Sequence, residues 1–495
     1  MWKLKEIKDW SPATEFGTSL YKENPMNRRD FFSNGMLIGG LGCTSSLLAA
    51  EPTLQPAEYP VAAEADVLVC GGGSSGVAAA VSAARHGAKV VLLERLPSIG
   101  GMATNALVNF FHCSDRTKKV ILGLVEESVQ RADKNGWLRP LDPVKRHETC
   151  TFEPEGMRIV WQKMLREAGV RTFCYLTAGE PVIEDGRIKG VLSDTKTGRK
   201  LFTGKIVIDC TGDGDIAAKS GIPFEFGRIS DGLVQGMTMC FTLRGVHIAA
   251  TKAIPKQKLD EIMNEMAELL KQGKLPPYND GNTRGHLLHG GNFYPWNMCP
   301  AAGNPLDEEE LTRLTEESRE RVFAYVDFWK QKVPGMGNAA VDQTACALGI
   351  RESRRVKGRK TLTEEMVLNA VKHTDAVGHG VWMIDIHDPK GSGYTTYTDR
   401  NQKTMLETGT SYHIPLGMAL NDQIPNLAVA CRAASSTHEA HSSFRVQSHL
   451  MTLAQGVGTC AAMALRQGIA LDNVDVKELQ KILKADGVYL EDIPA

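Results

Sequence analysis

Apolar and polar positions along the chain change period several times, and each change marks an element. Asp66 to Cys70 is a short apolar run of strand-forming residues, followed at once by Gly71, Gly73 and Gly76. From Ser74 to His86, small and apolar residues recur at helical spacing, and Lys89 to Leu93 is a second apolar run ending in Glu94. The pattern predicts strand, tight turn, helix and strand within about thirty residues. Helical patterns follow near 118–134 and 155–168. Over 171–209 the period shortens to three or four strands, broken at Asp185-Gly186 and Thr197-Gly198, and Asp-Gly is a strong hairpin signal. Residues 221–410 are less regular, with helical stretches near 257–273 and 307–332 and an aromatic loop at 290–298. Residues 426–468 predict one more strand, a polar loop with His438, His441 and Arg445, and a small-residue helix.

The first unit has a physical reading. Gly71 allows the turn, Gly73 lets backbone approach a pyrophosphate, and Gly76 lets the helix lie close to the strand. The helix opening at Ser74 and Ser75 offers free N–H groups to an anion. Glu94, eighteen residues past Gly76, can accept a hydrogen bond from a ribose hydroxyl, with Arg95 beside it. Any Gly-rich turn matches the triplet by chance. Strand, helix and terminal acid in register favour a dinucleotide.

Composition narrows the class. At 495 residues the chain exceeds what one hydrophobic core usually supports. Apolar content of 42% and charged content of 23% are ordinary for a globular protein, and a net charge of −1 makes no broad case for nucleic acid or anionic membrane. Eleven cysteines are scattered with no C-x-x-C, which argues against zinc ribbons and locally ligated iron–sulfur clusters, so no metal is expected. Near the N-terminus, Arg28–Arg29, Phe31–Phe32 and a mildly apolar stretch ending in small residues resemble a twin-arginine export signal. That stretch is too short and polar for a membrane span, and the expected location is periplasmic or secreted. Met26 is a candidate start, and Cys43 is a weaker candidate for lipid attachment. The predicted organisation is a signal and linker over 1–63, a cofactor domain over 64–220 and 411–470, a substrate or cap domain over 221–410, and a helix and tail over 471–495.

Seven segments carry a resemblance: "GGGSSGVAAA", "IGGMAT", "DCTGDGD", "SDGLVQGMTMCFTL", "GIRESRRVKGRKTLTEEMV", "IDIHDP" and "SSTHEAHSSFRV". Their order resembles flavoproteins of the glutathione-reductase type. More narrowly, it is similar to the bacterial FAD-dependent oxidoreductases, whose relatives include the flavin-binding part of heterodisulfide reductase and xanthan-lyase-related proteins. The resemblance implies an α/β fold: a Rossmann-like FAD-binding domain with a β-meander, plus an inserted α+β substrate domain. It implies FAD held by Gly71, Gly73, Ser74, Ser75 and Gly76 at the pyrophosphate, and by Glu94 and Arg95 at the ribose. Gly100, Gly101 and Thr104 would pass beside the phosphate and ribityl chain, and Thr211, Gly212 and Asp213 would return a strand end to the cofactor. Arg432, Gln455 and Gly456 complete the implied set, with the late helix aiming its N-terminus at the flavin. The chain departs from its relatives at Cys431, where they tend to carry Gly.

A flavin without a second nucleotide loop implies that the substrate itself gives or takes the hydride, at a carbon bearing OH or NH. The expected catalytic residues are His438, His441, Arg445 and His387. "RESRR" (351–355) reads as the solvated face of a helix, with Arg351 or Arg354 as substrate anchor the alternative. His112 and Cys113 leave covalent flavin attachment open. Expected partners are a small-molecule substrate and an electron acceptor of unspecified kind, with homodimer formation left open. The rival readings are a flavin subunit of an electron-transfer complex and, in another class, a carbohydrate-binding or lyase protein.

Overall fold

Strand β1 (Val61–Cys70) ends in four fully buried residues, Val67 to Cys70. A strand covered on both faces shows a continuous apolar run instead of alternation. Helix α1 (Ser74–Arg85) returns the chain to β2 (Val90–Leu93), which lies parallel to β1 with Val67 opposite Val90. Helix α2 (Pro154–Glu167), opened by proline, leads to β3 (Arg171–Phe173), parallel to β2. An antiparallel meander follows: β4 (Pro181–Glu184), β5 (Arg187–Thr195) and β6 (Gly198–Asp209). Its first turn has φ of 48° at Asp185 and 69° at Gly186, the two left-handed residues that a tight hairpin turn requires.

The sheet order is β3-β2-β1-β6-β5-β4. Long β6 pairs with β1 on one side; on the other it meets β5 along its first half and β7 (Leu427–Val429) at its end. Strands β1, β2, β3, β6 and β7 are parallel, so their C-terminal ends open on one edge of the sheet. Helix α3 (Gln447–Gln467) packs closely on α1 because both faces are small. A side chain at Gly458 would run into the Ala79 carbonyl, and the Ser82 hydroxyl donates to the Gln455 carbonyl at 3.0 Å. The last third of the chain is thereby fixed beside the first glycine loop.

The structure is a computed structural model that describes residues 59–140, 149–278, 285–288, 292–295, 297–391 and 404–494. Arg28–Arg29, Met26 and Cys43 lie outside them. Between β6 and β7, strands Phe241–Arg244, Phe293–Pro295 and Ala340–Thr344 and helices Lys256–Lys271 and Glu308–Lys332 gather around Phe241, Tyr325 and Trp329. Two other segments of the same stretch join the first core. Arg354–Val356 contributes Val356 to the sheet's cluster, and Ala376–Gly380 packs on α3, where Gly378 meets Thr452 and Gly456 meets Val377. Among the described residues no helix is long and apolar enough to cross a membrane, and no group of His, Cys, Asp and Glu could hold a metal ion.

Candidate functional site

A cavity of about 410 Å³ lies at the C-terminal edge of the parallel strands. One part of its wall is main chain from the glycine loop. The three glycines there differ in what they are needed for. Gly71 has φ of 107°, and a side chain on it would strike the Cys210 carbonyl; one on Gly76 would strike the Gly71 carbonyl. The fold itself requires both. Gly73 has ordinary extended geometry (φ −66°, ψ −178°), and its nearest neighbour would be the Gly101 Cα at 3.9 Å. Gly73 lines the cavity, so its missing side chain keeps space open for a ligand.

The Gly-Gly turn meets this loop directly. The Gly100 N–H donates to the Gly72 carbonyl at 2.7 Å, and a Cβ on Gly101 would lie 2.9 Å from the Gly73 Cα. Thr104 is buried and donates to the Ile99 carbonyl at 2.8 Å, which closes the turn. Glu94 is almost fully buried and lines the cavity. It accepts from the Gly72 N–H at 2.6 Å and the Leu96 N–H at 2.7 Å. Burial raises its pKa against those two bonds. Each carboxylate oxygen can accept more than one bond, so Glu94 keeps capacity for a hydroxyl donor. Thr211, Gly212 and Arg432 also face the cavity. Asp213 stands behind them, paired to Arg432 and accepting from Ser353 Oγ at 2.6 Å. Burial opposes its charge, yet Arg432 and Ser353 hold its carboxyl below the usual range.

Another part of the wall is built from side chains far apart in sequence: His112, Tyr294, Asn297, Arg351, Trp382, Asp385, His387 and Arg445. His112 stacks on Trp382 with ring centroids 3.6 Å apart. The Asp385 carboxylate lies 3.7 Å from His387 Nε2 and 3.8 Å from Arg445 Nη2, and accepts from Trp382 Nε1 at 3.3 Å. Burial works against its charge, but His387 and Arg445 hold it well below the usual carboxylate range. Burial also brings His387 and His112 down to about 4, so both are neutral at pH 7. Helix α3 begins here without a side-chain cap or an acidic first turn, and Val446, Gln447 and Leu450 line the cavity.

Arg445 and His387 therefore reach the cavity, whereas His438 and His441 do not. The expected placement of those two on the substrate side is corrected by the short helix His438–Phe444, which turns both rings toward 351–355. His438 Nδ1 bonds Glu352 Oε1 at 2.9 Å, and His441 Nε2 bonds the Arg351 carbonyl at 3.0 Å. The "RESRR" segment is not a solvated helix: Arg351, Glu352, Ser353 and Arg355 are all buried, and Arg354 pairs with Asp215 at 2.8 Å. Burial would discharge Glu352, but His438, His441 and Arg355 bring it down to about 2.

Gln455 and Gly456 also lie away from the cavity, two turns and more into α3. Gln455 Oε1 accepts from the Leu124 N–H at 2.9 Å, and Gly456 gives room to Val377. Cys113 is buried in the core behind His112. Sequence reasoning missed Asp385, Trp382, Tyr294, Asn297 and Glu352. Asp385 had a local signal two residues before His387, and Tyr294, Asn297 and Glu352 lie in segments already singled out, the aromatic loop 290–298 and "RESRR".

A family model described as FAD dependent oxidoreductase matches residues 66–483. A stretch of 74 residues is 42% identical to sarcosine oxidase subunit alpha of Corynebacterium sp. (strain U-96), covering 15% of this chain and 7% of that protein. The chain thus spans only a small part of the length of that curated relative. Among solved structures, a geranylgeranyl bacteriochlorophyll reductase-like protein from Thermoplasma acidophilum is 13% identical with a TM-score of 0.44, covering 86% of this chain and 84% of that one. L-amino acid deaminase from Proteus myxofaciens is 12% identical with a TM-score of 0.39, covering 64% and 85%. The family match leaves the carbohydrate-binding or lyase reading without support. With most of its length matched and a glycine loop that keeps room for a dinucleotide, the chain belongs to the FAD dependent oxidoreductase family.

Proposed function

We propose that this FAD-dependent oxidoreductase moves a hydride between the flavin and a small organic substrate, at a carbon bearing OH or NH. The carrying observation is the meeting of Asp385, His387 and Arg445 on one wall of the cavity whose other wall is the glycine loop. FAD, when bound, supplies the two-electron acceptor. Gly71, Gly73, Ser74 and Ser75 would hold its pyrophosphate, Glu94 and Arg95 its ribose, and Gly101, Thr211, Gly212 and Arg432 the stretch between.

His387 is neutral at pH 7 and faces the cavity, so it can take the OH or NH proton as the hydride leaves. Asp385, 3.7 Å from the ring, stabilises the imidazolium that results. Arg445 donates to the Asp385 carbonyl at 3.0 Å and presents positive charge to a substrate oxygen. The uncapped start of α3 adds a partial positive charge that favours electron-rich groups beside it. His438 and His441 support Arg351 and Glu352 from behind and handle no proton of the reaction.

Anaerobic mixing of the yellow holoprotein with a panel of small alcohols and amines tests this reading. Bleaching by a panel member, slowed in His387→Ala with flavin content unchanged, is the expected result. Reduction only by another protein would replace it with the electron-carrier reading. We further propose, from the sequence around Arg28–Arg29, twin-arginine export of the folded protein. Arg28→Lys with Arg29→Lys should then leave flavin-loaded protein in the cytoplasm, and efficient export of that variant would overturn the proposal.

A further inference from the structure

The charged wall carries two guanidinium groups. Arg351 and Arg445 face the cavity there with one carboxylate, Asp385, while His112 and His387 are neutral. Neutral oxygens orient Arg351: its Nη1 donates to the Gly236 carbonyl and the Thr238 hydroxyl at 2.7 Å each, and its Nη2 to Asn297 at 3.1 Å. Arg445 is less fully engaged. Its side chain is only 12% exposed, its Nε meets no acceptor, and its distance to the Asp385 carboxylate is 3.8 Å, beyond a hydrogen bond. A buried guanidinium in this state calls for an anionic acceptor, and a planar carboxylate matches the fork of Arg445. Val108, Phe110, Tyr294 and Trp382 add apolar and aromatic surface that suits a compact organic body.

We infer that the substrate is a small organic carboxylate whose anionic group is received by Arg445 and Arg351. This assigns a class to the substrate of the hydride-transfer reading and rests on that reading. The carboxylate would hold the molecule by its non-reacting end and leave the OH or NH free to meet His387. Neutral alcohols and amines of the same size would lack that hold.

Titrating the full-chain holoprotein with acetate and benzoate, against acetamide and benzamide as neutral shapes, tests it by flavin absorbance change and melting temperature. Carboxylates should bind at least about 10-fold more tightly than the amides, and Arg445→Met should weaken them roughly 30-fold or more. Arg445→Lys keeps the charge without the fork and should recover part of that loss. It carries the test if the methionine variant fails to fold. Equal binding of acid and amide, or carboxylate binding untouched in flavin-replete Arg445 variants, would overturn the inference. Comparing 2-hydroxy and 2-amino acids with their amides as reductants separates the two levels of the argument. Faster bleaching by the amides sinks the carboxylate assignment and leaves hydride transfer standing. Carboxylate binding with no bleaching by any alcohol or amine keeps the anion site and sinks the hydride-transfer reading.

Discussion

The cavity's two walls are made in different ways. The glycine wall is mostly main chain: strand ends, a Gly-Gly turn and the start of α1, within 71–102 apart from the returns at Leu176–Ala178, Cys210–Gly212 and Cys431–Arg432. The charged wall is side chain, delivered from residues 112, 294 and 297, 351, 382–387 and 445 by five separate segments. Main-chain walls depend on which positions lack a Cβ, whereas side-chain walls depend on partners that fix each rotamer. The first should break by single steric insults that spare the fold. The second should break by removal of buried partners that the ligand never touches.

The largest expected effect is on the glycine wall. Gly73→Val should abolish FAD retention while the apoprotein keeps its fold, because the added side chain fills cavity space and its Cβ makes only an ordinary contact, 3.9 Å from the Gly101 Cα. Gly76→Val, aimed at the Gly71 carbonyl, should instead lower soluble yield and melting temperature. Flavin content per folded protein, measured for both, draws the contrast. A Gly73→Val protein that stays fully yellow would erase it.

On the charged wall, His387→Ala should slow flavin reduction by roughly 10²–10⁴-fold with FAD still bound, as loss of a general base does. Stopped-flow absorbance reads this, and reduction at the parental rate would remove His387 from the chemistry.

Behind that wall, Glu352→Gln should cost about 3–5 kcal/mol of stability, because it leaves buried Arg355 with only the exposed Glu225 carboxylate, 3.2 Å away, as charge partner. Denaturant unfolding of the holoprotein measures this, and a loss below about 1 kcal/mol would show that His438 and Arg355 find other partners.

The smallest effect is a pH dependence. Burial depresses His112, His387 and His413 to about 4 and His441 and His449 to about 3, against 6.5 for a free histidine. An unfolded chain therefore binds more protons than the native one between pH 6.5 and 4. Their contribution to stability is complete above 6.5 and is lost as pH falls toward 4. Glu153, raised by burial to about 7, and Asp209, raised to about 6, act in the opposite sense but are fewer. Melting temperature should drop by about 5 °C or more from pH 7 to pH 5. A flat profile would mean that the buried rings exchange protons without unfolding.

The sequence by itself determined the glycine wall. The triplet, Glu94, Gly100–Gly101 and the hairpin signal at Asp185–Gly186 are local facts, since a positive φ or an absent Cβ is written in one or two residues. It also located the late helix, which the structure places at Gln447–Gln467. Only the tertiary structure decided which side chains share the cavity. His387 and Arg445 were legible as ionisable residues in polar loops, and so were His438 and His441, yet a seven-residue helix turns the last two inward. Gln455 and Gly456 were placed near the cofactor because they lie on the right helix, but two turns along it they serve helix packing. Glu352 has three charged neighbours in sequence, Arg351, Arg354 and Arg355, and is fully buried, because partners from residues 235 and 438 join Arg355 around it. Chain direction and Cβ clearance are set within a few residues. The burial of a charge is set by residues a hundred positions away.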